Sequence, residues 1–491
     1  MVAADDGPLY LGLDLSTQQL KGIPTSLLRF TLTISERNPC SHLLAIIVGP
    51  DLKAVARAHV DFDADFGPSY GITKGVRTRP STGEVYAPVA LWLESLDLVL
   101  HRLTTAGASL HRVRGVSGAG QQHGSVYWAA DAARALATLD PARPLVTQLA
   151  GEDVLAHPWS PNWQDHSTQA ECDAFDGALG GRDRLAEVTG SGAHHRFTGP
   201  QIMRLRRVHP DVYARTARIS LVSSWLASVL LGRIAPIDAS DACGMNLWDM
   251  SSARWHPDLL SLAAGDSVAA SRLRAMLGEP CLDAARPLGP VAGYFAARHG
   301  LRADCQVLPF TGDNPATLLA LPLRPGDAII SLGTSTTFLM HTETAAPDAD
   351  HHYFNHPTTP GHYMFMLCYK NGGLARERVR DDLPGAADGS WAAFDRAIAE
   401  TPPLDIQGGR AKMGLYFDLR ETVPNLRAGT WRFTCAAADG SDLRVAEAWP
   451  AATDARLIVE SQALGGRRRV RAGRRAQGPV GSGAARRADG G

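Results

Sequence analysis

The strongest constraint on how this chain folds is an apolar run that ends on a single carboxylate. Cys305-Gln306-Val307-Leu308-Pro309-Phe310 reads as a strand. It delivers Thr311-Gly312-Asp313-Asn314-Pro315-Ala316, a turn with Gly before the acid and Asn after it. A second apolar run, residues 327–332, ends in Gly333-Thr334-Ser335-Thr336. A carboxylate beside small, hydroxyl-rich turns supplies what phosphoryl transfer needs: a base for an alcohol and backbone N–H groups for phosphate. Gly, Asp, Asn and Ser also dominate ordinary turns, so this stretch alone leaves both readings open.

The same pattern opens the chain. Leu9-Tyr10-Leu11-Gly12-Leu13-Asp14-Leu15-Ser16-Thr17-Gln18 is a buried-strand pattern ending on an acid and hydroxyls, with backbone N–H groups where a phosphate could sit. At 491 residues the chain exceeds one ordinary core, so at least two domains are expected. Hydrophobic residues at 45% and charged residues at 20% fit a globular protein and exclude wholesale disorder. No run approaches a membrane span, and the acidic N-terminus lacks the layout of a secretory signal. Seven dispersed cysteines without Cys-x-x-Cys spacing read as reduced thiols of a cytoplasmic protein and argue against zinc. The net charge of −1 hides a segregation. Residues 465–491 carry eight Arg and one acid, leaving an acidic body that argues against a nucleic-acid surface.

Along the chain, residues 45–62 read as a hairpin, and Lys21 would continue straight into it if residues 22–44 were removed. That segment, 22–44, lacks helical or alternating periodicity and reads as a non-native insertion inside a strand, where register must be recovered on re-entry. Residues 63–86, rich in Gly, Thr and Pro, read as a surface loop. Residues 113–120 form a strand that breaks into Gln121-Gln122-His123-Gly124-Ser125, a polar cluster suited to a hydroxylated ligand, although a lone His is more often structural. Ser167 and Thr168 are placed to cap a helix running to Leu179. Arg196 precedes a helix start and could reach an anion or polyol, though most such Arg residues are solvated or paired. Residues 238–248 are polar and small-rich, as in a loop that lines something. Asn371-Gly372-Gly373 ends a strand in a turn suited to close backbone approach. Trp391 falls on a helix. The expected domains are 7–303, 304–464, and an Arg/Gly-rich disordered tail, 465–491.

Six stretches in order resemble the FGGY family of carbohydrate kinases, its eukaryotic xylulokinases nearest. They are Gly12-Leu13-Asp14-Leu15-Ser16-Thr17-Gln18-Gln19, residues 117–125, Arg196-Phe197-Thr198-Gly199, residues 241–247, residues 310–316 and Ser331-Leu332-Gly333-Thr334-Ser335. The resemblance implies an α/β fold of two ribonuclease-H-like (actin/hexokinase-like) domains around a cleft. It implies ATP- and Mg²⁺-dependent phosphorylation of D-xylulose to D-xylulose 5-phosphate, or of another ketose or polyol. Asp313 would be the general base, and His123, Arg196, Asp313 and Asn314 would contact the sugar. Thr17, Gln18, Gly333, Thr334 and Ser335 would hold phosphates, Trp391 would lie near the nucleotide, and Asp14 would help hold Mg²⁺ through water. The implied partners are a small sugar and MgATP, with no nucleic acid or membrane.

The departures lie at the far end. The family's Gly-Gly-Ala-Ser-x-Asn element is not matched, because Gly465-Gly466 is followed by Arg467-Arg468. The resemblance therefore also implies an incomplete second domain with a truncated or frame-shifted C-terminus, an exposed sheet edge, and weakened ATP binding. At the extreme the chain would be a sugar-binding remnant.

Overall fold

The computed structural model describes residues 7–16, 42–333, 335–386, 389–406, 409–421, 426–437 and 439–475, the last with side chains through 466. The chain divides into two compact units. The first runs to Pro322 and includes Phe354–Gly361; the second comprises Leu323–Tyr353 and the chain from His362 onward.

The first unit is built on one sheet. Strands β1 (Leu9–Ser16), β2 (His42–Val48) and β3 (Ala54–Asp61) form an antiparallel meander. Strand β4 (Val113–Gly120) runs parallel to β1. Short strands β5 (Gly289–Pro290), β6 (Gln306–Val307) and β7 (Thr311–Gly312) complete the sheet, with β6 and β7 both parallel to β4. In the order β5-β6-β4-β1-β2-β3 three antiparallel strands are followed by the parallel β4 and β6, the ribonuclease-H arrangement, and β5 edges the sheet antiparallel to β6. In β1 the alternation is plain: Leu9, Leu11, Leu13 and Leu15 are buried on one face, which leaves Asp14 on the other, near the strand's end.

Helices α1 (Phe62–Tyr70), α2 (Val89–Thr105), α3 (Thr198–Val208), α4 (Val222–Leu231), the single turn α5 (Ala239–Ala242) and α6 (Asp313–Leu319) belong to this unit. Every residue of α4 is buried, the hydroxyls of Ser223, Ser224 and Ser228 among them, each hydrogen-bonded. Its Trp225 packs on Trp92 of α2 with ring centroids 5.5 Å apart.

The second unit contains an antiparallel ladder of β8 (Ala328–Leu332), β9 (Thr336–Thr342) and β10 (Tyr363–Tyr369). Helices α7 (Gly373–Asp381) and α8 (Ala392–Glu400), the hairpin of β11 (Ala411–Phe417) and β12 (Gly429–Cys435), and α9 (Ala451–Arg475) follow. Phe394, Tyr416, Leu457 and Ile458 form their shared core. Strand β8 is the edge of its ladder, with Ile330 and Leu332 55% and 58% exposed.

Four expectations are corrected. The domain division falls at Pro322, not near residue 303, because β6 and β7 pair with β4 and carry Asp313 into the first unit. The suspected insertion does not reach residue 44. His42, Leu43 and Leu44 are β2 residues paired with Ser16, Leu15 and Asp14, whereas 22–41 lie outside the described residues. Residues 63–86 are not a loop: α1 begins where the Asp61 carboxylate caps the N–H groups of Asp63 and Ala64, and strands Arg77–Arg79 and Glu84–Pro88 follow. The tail does not depart from structure at 465. Helix α9 continues to Arg475, and Gly466 is buried so closely on Phe338 that a Cβ would lie 2.2 Å from the ring. Residues 476–491 lie outside the described residues.

Candidate active site

The end of β7 places Asp313. Gly312 precedes α6, Asp313 is its first residue, and Pro315 falls in the first turn, where a missing N–H costs no helical hydrogen bond. The carboxylate therefore sits at a helix start, at the edge where β1 and β4 also end. Its Oδ1 accepts from the Gln122 backbone N–H at 3.3 Å, the Asn314 backbone N–H at 2.9 Å and Asn314 Nδ2 at 3.1 Å. Burial pushes Asp313 up to about 6. The two backbone N–H donors and the Arg196 charge pull the other way and keep the rise modest.

Around it stand other acids. Asp14, at the end of β1, is pushed up to about 8, first by burial and then by the Asp313 charge, and its buried Oδ1 has no hydrogen-bond partner among the described residues. Asp238 caps α5 by accepting from the Asp241 N–H at 3.2 Å and also accepts from the Thr311 hydroxyl at 2.7 Å. Burial pushes it up to about 6. Asp241, on α5, is 1% exposed and accepts from the Ser223 hydroxyl at 2.5 Å. Burial pushes it up to about 8 against that hydrogen bond, helped by the charges of Asp238 and Asp313.

The polar cluster after β4 forms the next wall. His123 is buried with φ +74°, a strained conformation for a bulky residue that the surroundings must enforce. Its ring stacks on Phe197 at 4.7 Å, and Nδ1 lies 3.0 Å from the Gly244 carbonyl. A carbonyl only accepts, so Nδ1 carries the hydrogen, and in the neutral ring Nε2 is an acceptor. Arg196, 8% exposed, precedes α3. The Asn314 Nδ2 also donates to Gln122 Oε1 at 2.9 Å.

Asp14, His123, Arg196, Asp313 and Asn314 thus all lie in the first unit, where the Asp313 charge raises Asp14 and the Arg196 charge lowers Asp313. Gly333, Ser335 and Trp391 lie in the second. There the Gly333 carbonyl accepts from the Gly373 N–H at 2.8 Å. A Cβ on Gly372 would lie 2.5 Å from the Ser335–Thr336 backbone, so the two turns touch main chain to main chain. Helix α9 supports this contact, with Gln462 Nε2 donating to the Asn371 carbonyl at 2.9 Å. Trp391 precedes α8 with the Arg380 guanidinium 4.7 Å over its ring. Thr17, Gln18 and Thr334 lie outside the described residues. The sequence places Gln122 in a ligand-suited polar cluster and Asp241 in a lining stretch without giving either a role, and the helix cap expected of Ser167 and Thr168 is not made, since the Thr168 hydroxyl donates to the His195 carbonyl. The signal for Asp241 was a pair of acids, 238 and 241, in a small-residue stretch that had to be buried.

Among the described residues no three His, Cys, Asp or Glu side chains gather as a metal site, and no helix is long and apolar enough to cross a membrane. Cys172, Cys243, Cys281, Cys305, Cys368 and Cys435 are thiols.

Residues 161–320 match the model of the FGGY family of carbohydrate kinases, N-terminal domain. The chain is 52% identical over 472 residues to a probable D-xylulose kinase A of Aspergillus fumigatus, covering 95% of this chain and 78% of that relative. The Aspergillus flavus protein of the same description is 53% identical over 473 residues, with the same coverage. In fold this chain is similar to the xylulose kinase of Rhodospirillum rubrum, with a TM-score of 0.71, 20% identity, and 94% of this chain and 78% of that one covered. The Plasmodium falciparum glycerol kinase with ADP gives a TM-score of 0.64 at 12% identity, with 93% and 76% covered. The chain belongs to the FGGY family of carbohydrate kinases and has that family's two-domain actin/hexokinase-like fold.

Proposed function

We propose that the chain transfers the γ-phosphoryl group of ATP to the 5-hydroxyl of D-xylulose, with Asp313 as general base. The observation that carries this reading is the state of Asp313: a carboxylate at a helix start, pushed up to about 6, ionised at neutral pH and still basic enough to accept an alcohol proton. The 52% identity to probable D-xylulose kinases supports the choice of sugar.

Asp313 takes the proton as the hydroxyl attacks phosphorus, and Asn314 and the Gln122 N–H hold Oδ1 so that the other oxygen is presented. His123 offers an Nε2 acceptor to a sugar hydroxyl, and Arg196 offers donors while keeping Asp313 ionised. Asp14 fits a site for Mg²⁺ held through water, since it brings a buried carboxylate oxygen that has no hydrogen-bond partner among the described residues, which also hold no crowded ligand cage. When bound, the ion would neutralise phosphate charge and draw Asp14 toward its ionised form. Thr17, Gln18, Gly333, Thr334 and Ser335 would cradle phosphates, and Trp391 would border the nucleotide. A cytoplasmic location accords with free thiols, because sugar phosphates are made where ATP is.

The test is ADP release by the purified chain with MgATP and D-xylulose, against other ketoses and polyols. Xylulose-dependent turnover supports the reading. Turnover only with another sugar, or sugar binding without turnover, contradicts it.

A further inference from the structure

Asp241 is a carboxylate that α5 does not need. Asp238 already caps that turn, and an apolar or hydroxyl side chain at 241 would avoid burying an acid 1% exposed among other acids. Its surroundings indicate what it does. One oxygen, Oδ2, accepts from the Ser223 hydroxyl at 2.5 Å, and the other, Oδ1, has no hydrogen-bond partner among the described residues.

Across from Oδ1 lies Gln122. Both crowd Gly312, the residue before Asp313: a Cβ there would lie 2.7 Å from Asp241 Oδ1 and 2.2 Å from Gln122 Cγ. Gly312 has an ordinary extended backbone, so glycine is required here by space and not by conformation. The Gln122 amide is oriented from its far end, because Oε1 accepts from Asn314 Nδ2 at 2.9 Å. Its Nε2 is thereby the end left for Asp241, and it is likewise buried without a hydrogen-bond partner among the described residues. Asn314 Nδ2 has two hydrogens and gives the second to Asp313 Oδ1 at 3.1 Å.

We infer that Asp241 is a positioning residue for the reaction, acting on Asp313 through the Gln122 and Asn314 amides. This inference rests on Asp313 being the base. An acceptor at 241 keeps the Gln122 Nε2 turned away from Asn314. Gln122 therefore presents an oxygen to Asn314, and Asn314 spends its donors on Gln122 and Asp313. Reversing the Gln122 amide would set Nε2 against Asn314 Nδ2, donor against donor, and release Oδ1 of Asp313. A proton on Asp241 Oδ2, with the Ser223 hydroxyl turned to accept it, leaves Oδ1 an acceptor in both charge states. The charged groups facing Asp241 are Asp238 and Asp313.

The test compares Asp241→Leu, Gln122→Met and the double variant with wild type and Asp313→Asn, in full chains, measuring kcat, KM for the sugar and thermal stability. The expected result is a kcat about 10- to 100-fold lower in each single variant, with sugar KM within about threefold. The double variant should lose no more than the worse single one, because both act through one chain of contacts. Asp241→Leu should fold, since it replaces a buried acid by an apolar side chain of similar size and branching, and Gln122→Met reads the same chain from its other end. Retained kcat in folded Asp241→Leu, or fully additive losses, would overturn the inference while loss of turnover in Asp313→Asn leaves the base reading intact. Retained turnover in Asp313→Asn would overturn both.

Discussion

The backbone N–H of Gln122 donates to Oδ1 of Asp313 across 3.3 Å, joining the turn after β4 to the first residue of α6. The contact is possible because β7 runs parallel to β4 in register, Thr311 opposite Ala119 and Gly312 opposite Gly120. Two strands ending together leave their following turns side by side, and the main chain of one becomes a donor for the carboxylate of the other.

That donor set predicts the pH dependence. With Asp313 pushed up to about 6 by burial, its base form is lost as pH falls through that value. Sugar kcat/KM should rise from pH 5 to pH 7 with a midpoint near 6. Initial rates at fixed MgATP check it, and a midpoint near 4 would mean the carboxylate titrates as if in water.

The space around Gly312 predicts a steric lesion. Gly312→Ala keeps an allowed backbone but drives a methyl into Gln122 Cγ and Asp241 Oδ1. Turnover should fall at least tenfold and stability by about 1–3 kcal/mol, read by activity assay and denaturant titration on the same preparation.

His123 is held by a stack on Phe197 and a contact to Gly244, at a backbone angle few side chains adopt. His123→Asn tolerates that angle but loses the ring acceptor. Sugar KM should rise about 10-fold or more with a smaller change in kcat, measured by steady-state kinetics.

Buried acids set the pH dependence of stability. Asp14 and Asp241 are both pushed up to about 8 from an unfolded value of 3.8. Between those values the folded chain holds protons that the unfolded chain releases, so each increment of pH favours unfolding. The melting temperature should fall from pH 5 to pH 8, and Asp241→Asn should flatten that fall. Melting curves across that range check the sign.

The sequence shows the strands and the acids at their ends, because burial on one face and a polar turn at the tip leave a local signature. Asp14 and Asp313 are visible for that reason. The domain division was not legible. β6 and β7 are two residues each, and only pairing with β4, some 190 residues earlier, assigns them to the first unit. Helix α1 was hidden by Gly67 and Pro68 inside it, its start resting on one Asp61 cap. The continuation of α9 into an Arg/Gly-rich stretch has no compositional signal, because Gly466 is accommodated by the ring of Phe338 and not by its own propensity. The role of Asp241 is not legible because it lies in Gln122 and Gly312, which no local pattern joins to it.

The central claim is that Asp313 removes the proton from the sugar hydroxyl. The most direct measurement is the single-turnover rate of phosphoryl transfer from MgATP to D-xylulose in Asp313→Asn, with sugar affinity measured separately by calorimetry. The account predicts a rate about 10²- to 10⁴-fold lower with sugar affinity within a few-fold of wild type. Transfer at the wild-type rate in the folded variant would contradict it.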